Sequence, residues 1–268
     1  MQVIEILWPA FVLAIMLVYI HTIFGVEIIR RGVIFTDLAI GQIAAVGMAL
    51  SVAFLDGAYR TPLTLLFAIT AAVVIAWATR HVKHVEAFIG LLYALGISSI
   101  MLVLAQSSEG MELFSKLSAA DILFTSSDDL WKDIAIYLPI SLVMFLLYPR
   151  TEGLIKELLF FVMLALTVTS SVQSVGVLVV FALLIAPAYA GIAQQRFNPL
   201  HFGWIFGSVA IIIALYASYH LDLPTGYSII FITVLASLVF VVYQNLQSNR
   251  ENEKDVKIDQ MVLPEKKI

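Results

Sequence analysis

Asp37 carries the most chemistry in this chain. It lies six residues past Arg31, inside an apolar run that extends from about residue 33 to 55, so a helix started at the arginines would carry it roughly 9 Å in, at 1.5 Å per residue. An ionised carboxylate in an apolar helix costs about 2.5–3.5 kcal/mol on insertion scales. Such a residue faces a pathway, pairs with a neighbouring helix, or snorkels back toward Arg30 and Arg31. Gln42 is deeper in the same run and neutral, and a membrane amide either bonds another helix or lines a path. Five residues separate the two, which at about 100° per residue turns them about 140° apart on an ideal helix. His21 sits in an earlier apolar run, where a lone histidine is an interhelical hydrogen-bonder or a ligand. Glu27 is spaced to form a structural ion pair with Arg30 or Arg31. Pro187 lacks an N–H and is expected to kink or break its span, either as plain structure or as the shaping element of a gate.

The elements that must position these groups are helices in a bilayer. Of the 268 residues, 61% are hydrophobic and 13% charged, with a mean hydropathy of +0.98, against roughly 45–50% apolar in a soluble domain. A span takes about 20 apolar residues, so the chain has room for eight to ten helices and no separate soluble domain. Hydropathy places spans at about 6–29, 33–55, 62–79, 88–106, 134–148, 156–171, 175–195, 202–220 and 226–245. The predicted fold is an all-α polytopic transmembrane bundle of eight or nine spans. Residues 1–246 form the membrane domain, and 247–268, balanced between Lys/Arg and Asp/Glu, form a disordered cytoplasmic tail. The first segment lacks a basic start and reads as a retained helix rather than a cleaved signal.

Every second gap is basic: Arg30-Arg31; Arg80, His81, Lys83 and His84; Arg150 and Lys156; Arg196; Arg250 and Lys254. The remaining gaps hold few bases. The longest is acidic, with Glu109, Glu112, Asp121, Asp128, Asp129 and Asp133 against Lys116 and Lys132, and another is a tight turn expected at Ser171 to Ser174. The positive-inside rule then puts the N-terminus outside and the C-terminus in the cytoplasm.

Several chemistries are excluded. Cysteine is absent, which removes disulfides, thiolate metal ligands and Cys nucleophiles. No phosphate loop, His-Glu-x-x-His or Gly-x-Ser-x-Gly occurs, so no enzymatic activity and no cofactor are expected. A net charge of -4 spread over loops and tail gives no nucleic-acid reading. Gly203 and Gly207 form a Gly-x-x-x-Gly pair, suited to close helix packing or a dimer contact.

Four stretches together resemble the membrane subunits of bacterial ABC importers for zinc, manganese and iron: GVEIIRRGVIFTDLAIGQIAAVG from Gly25 to Gly47, AADILF from Ala119 to Phe124, SVQSVGVLVVFALLIAPAYA from Ser171 to Ala190, and SYHLDLPTG from Ser218 to Gly226. The resemblance implies a multi-pass inner-membrane permease that works as one half of a homo- or heterodimer in membrane lipid. An extracytoplasmic binding protein would deliver a divalent metal ion, and a separate cytoplasmic ATPase would drive alternating access. It implies a transport pathway through Asp37, Gln42 and His21, with Asp37 and Gln42 as the metal positions, and gating at Pro187. It also implies an ATPase contact at Arg150, Thr151, Glu152 and Gly153. In that family the second span usually starts with Asp and His four residues apart, whereas here Gln42 stands where the histidine would be. The inner connection before the Gly-Val-Leu run is also shorter than the family's. Two other readings stay open: a transporter driven by an ion gradient, with Asp37 or His21 carrying protons, and a non-transporting partner of a true permease.

Overall fold

The computed structural model describes residues 2–55, 57–106, 112 and 122–262. Its long helices are α1 (Gln2–Arg31), α2 (Thr36–Leu55), α3 (Arg60–His81), α4 (Val85–Leu104), α5 (Ser127–Leu146), α6 (Gly153–Val175), α7 (Val177–Ala193), α8 (Pro199–Leu221) and α9 (Thr225–Val262). Short 3-10 turns occupy Ile122–Phe124 and Tyr148–Arg150, and no strand occurs among the described residues. Eight segments are long and apolar enough to cross a bilayer, and the ninth, Val177–Ala193, is shorter. The fold is therefore the all-helical bundle expected. Of the acidic gap, residues 107–111 and 113–121 lie outside the described residues, and with them the first half of the Ala119-to-Phe124 motif, as do residues 263–268 of the tail.

Local chemistry sets the helix ends. The Ser126 hydroxyl accepts from the backbone N–H of Asp129 at 3.2 Å and caps α5, and Asn198 caps α8 by accepting from Leu200 N–H at 2.9 Å, with Pro199 in the first turn. Each cap satisfies an N–H that has no partner inside the helix. The turn expected at Ser171 to Ser174 is helical instead. Ser171 donates to the carbonyl of Thr167, one turn back, and the chain breaks at Gly176, whose φ of 84° suits a residue without Cβ.

The helices pack as two groups. In one, α2 lies against α3 and α4; in the other, α7 is surrounded by α1, α8 and α9; α6 joins them by touching α3 and α2 of the first and α7 and α1 of the second, and it also carries α5. One continuous core links both groups and includes Leu13, Leu17, Phe24, Ile28, Ile40, Phe160 and Leu164. The outward faces carry large apolar side chains, such as Leu91, Leu102 and Leu138, because lipid rather than water bathes them. α4 is the least covered span, with 22% of its window buried.

Candidate functional site

Around Pro187 the bundle is tightest. α7 runs through Pro187 as one helix, so the expected break falls eleven residues earlier, at Gly176. A side chain at Gly25 would collide with the Leu184 carbonyl and the Ala188 Cβ. A Cβ at Gly203 would lie 2.8 Å from the Pro187 carbonyl oxygen, and one at Gly207 would lie 3.0 Å from the proline ring. The Ser237 hydroxyl donates to the Ala186 carbonyl at 2.8 Å. The Leu184, Ala186 and Pro187 carbonyls are thus approached by α1, α9 and α8 respectively, and the bundle closes tightly on α7 around the proline. The Gly203/Gly207 pair is used inside the chain, holding α8 on Pro187.

Asp37 stands in the first turn of α2, because residues 32–35 form a turn rather than extending the helix. It is nevertheless only 1% exposed, and neither carboxylate oxygen has a hydrogen-bond partner. The α2 N-terminus supplies a partial positive charge beside it. One turn on, the open side of Gly41 faces Val168 of α6 and Val177 of α7, at 3.8 and 4.0 Å from an added Cβ. Residues four apart share a helix face, so Asp37 is turned toward α6 and α7.

Gln42 points elsewhere. A Cβ on Gly96 of α4 would lie 2.8 Å from the Gln42 Cβ, so this half-buried amide faces α4. The structure does not bring Asp37 and Gln42 together, in keeping with their angular separation in the sequence. His21 is fully buried on the Leu17/Phe24 face of α1; its Nδ1 lies 2.9 Å from the Leu17 carbonyl and its Nε2 has no partner. Among the described residues, no three His, Asp or Glu side chains converge as a metal cluster.

Two polar clusters went unrecognised in the sequence. Asp133 of α5, 5% exposed, accepts from the Ser170 hydroxyl at 2.9 Å and the Ser174 hydroxyl at 3.1 Å, and Tyr137 meets Ser171 at 3.0 Å. Its signal was the i,i+4 spacing of 133/137 and of 170/174, visible only once residues 171–174 are read as helix. The second cluster closes the C-terminal end of α1. The expected pairs are present, with Glu27 3.8 Å from Arg30 and 3.7 Å from Arg31. Arg31 also donates to Glu157 and, at 2.8 Å, to the Tyr148 hydroxyl, which itself donates to Glu27 at 3.0 Å. Of the expected ATPase-facing residues, Arg150 donates to the Leu146 carbonyl, Thr151 donates to the Tyr148 carbonyl at 2.9 Å, and Gly153 has a φ of 62°.

A bundle with eight span-length apolar helices among the described residues, packed around a proline-centred knot, defines a multi-pass helical membrane protein. Residues 150–244 match the ABC 3 transport family. The chain is 26% identical over 239 residues to the "Manganese transport system membrane protein MntC" of Listeria monocytogenes, covering 82% of this chain and 83% of that one. It is 27% identical over 236 residues to the "Manganese import system permease protein ScaB" of Streptococcus parasanguinis, covering 81% of each. It is also 27% identical over 194 residues to a "Probable iron transport system membrane protein" of Haemophilus influenzae, covering 65% of this chain and 68% of that one. Among solved structures, "PsaBC from Streptococcus pneumoniae in complex with Fab" superposes with a TM-score of 0.71 at 20% identity, over 88% of this chain and 90% of the other. The chain is accordingly a multi-pass helical membrane protein, similar to the ABC 3 transport family and to membrane proteins named for manganese and iron transport.

Proposed function

We propose that this permease admits a divalent metal ion, manganese or iron before zinc, and that it works with a separate cytoplasmic ATPase, an extracytoplasmic binding protein and a second permease subunit. The observation that carries this reading is Asp37, a carboxylate 1% exposed with both oxygens unpartnered. A buried anion without a hydrogen bond is costly, and an arriving cation offsets that cost. Oxygen ligands suit manganese, whereas the imidazole that would favour zinc is absent at Gln42. In this reading the N-terminus faces outward, residues 1–246 form the permease and 247–268 its cytoplasmic extension. Gln42 and His21 contact the path on other faces of the bundle, and Pro187 holds the gating helix. Residues Arg150, Thr151, Glu152 and Gly153 meet the ATPase.

A second reading, a non-transporting partner subunit, is favoured by one observation: α5 and α6 are joined by only the 3-10 turn Tyr148–Arg150 and three further residues, Leu147, Thr151 and Glu152. Reconstitution in vesicles with the candidate ATPase and binding protein tests both. ATP-dependent uptake of radiolabelled manganese, abolished by Asp37→Asn, supports the first. Assembly without uptake supports the second.

A further inference from the structure

The four residues proposed to meet the ATPase are bracketed in sequence by Tyr148 and Glu157, and both of those side chains are held by a single residue of α1, Arg31. The guanidinium donates to Glu157 and, at 2.8 Å, to the Tyr148 hydroxyl, while its carbon lies 4.4 Å from the centre of the Phe160 ring. Tyr148 completes the ring of contacts by donating to Glu27 at 3.0 Å, and Lys156 lies over the Tyr148 ring at 4.9 Å. The Arg31 and Glu157 side chains are 19% and 21% exposed. Charge-assisted bonds so far withdrawn from water are strong, and a planar donor with several N–H groups can serve two acceptors at once.

Arg31 is also the last residue of α1. From it the chain turns tightly, with Val33 N–H on the Ile28 carbonyl and Thr36 N–H on the Val33 carbonyl, both at 3.2 Å, and the Thr36 hydroxyl on the Val33 carbonyl at 2.6 Å. The next residue is Asp37. On its far side the same corner is tied down, since Phe35 N–H donates to Glu86 at 3.3 Å and the Phe35 ring stacks on Phe181 of α7. A short hydrogen-bonded turn transmits displacement with little slack.

We propose that Arg31 is a positioning residue that couples the ATPase-facing connection 150–153 to the Asp37 turn through its joint hold on Tyr148 and Glu157. In this chain the link does the work that a longer inner connection would otherwise do. The inference rests on the transport reading above.

The test uses the full chain in vesicles with its ATPase and binding protein, reading manganese uptake and ATP hydrolysis in the same preparation. Glu157→Gln and Arg31→Lys are expected to lower the ions moved per ATP by about tenfold, with hydrolysis retained and the melting temperature of the detergent-solubilised complex little changed. Tyr148→Phe removes one acceptor and is expected to give a smaller loss of the same kind. An unchanged ion-to-ATP ratio in Glu157→Gln and Tyr148→Phe overturns the proposal, as does a proportional loss of uptake and hydrolysis, which a merely structural role would produce. If Arg31→Lys fails to assemble, the other two variants decide. A wild-type complex that assembles but moves no metal overturns the transport reading itself, and this coupling role with it.

Discussion

Asp37 and Asp133 are both carboxylates near the ends of apolar helices and both nearly inaccessible, at 1% and 5% exposure. They differ in company. Asp133 has a hydroxyl on each oxygen, from Ser170 and Ser174 on the facing helix, so its burial is locally compensated and it ties α5 to α6. Asp37 has none and contributes nothing visible to holding the bundle. A satisfied buried carboxylate reads as structure, and an unsatisfied one as a group kept for something that arrives.

The contrast can be broken in order of expected effect. Asp37→Asn should lower metal uptake by at least about tenfold, the worth of ~1.4 kcal/mol of lost cation binding, while leaving the detergent melting temperature equal or higher; uptake measured beside a thermal melt checks both halves. Asp133→Ala should do the reverse, removing about 1–3 kcal/mol of stability because Ser170 and Ser174 lose their acceptor, with uptake per folded molecule unchanged. Ser170→Ala together with Ser174→Ala leaves Asp133 with only the Tyr137 hydroxyl beside it, and is expected to destabilise by about 1–2 kcal/mol without creating transport; a gain of uptake there would end the comparison. Gln42→Ala, on the α4 face, should shift stability by no more than about 0.5 kcal/mol and reduce uptake less than Asp37→Asn does. Equal losses in those two variants, in a vesicle assay, would put both side chains in one site despite their different faces.

Much of the fold was legible because the bilayer allows few solutions. An apolar stretch of span length must be helical, since no water is present to satisfy its backbone, and the hydropathy runs therefore located every span, although α5 starts well before the expected residue 134 and α9 continues past 245 to Val262. The errors came where a local rule met tertiary packing. The serines at 170, 171 and 174 read as a turn because they favour turns in water, but in the bundle their hydroxyls bond back to helix carbonyls or across to Asp133 and Tyr137. Pro187 read as a break, but α7 runs through it as one helix, with Gly25 bringing α1 and the Gly203/Gly207 pair bringing α8 onto its backbone. The partners of Arg31 were out of reach, since Tyr148 and Glu157 are more than a hundred residues away along the chain.

From its sequence alone this chain was bound to be a multi-pass helical protein, because hydropathy and the charges of its gaps depend on composition and order and on nothing distant. The sequence also singled out Asp37, since a carboxylate in an apolar run is conspicuous wherever the helices lie. Which buried carboxylate would be satisfied and which left alone was decided by the tertiary structure. Hydrogen bonds between helices depend on which faces meet, and that is a property of the whole bundle rather than of any one segment.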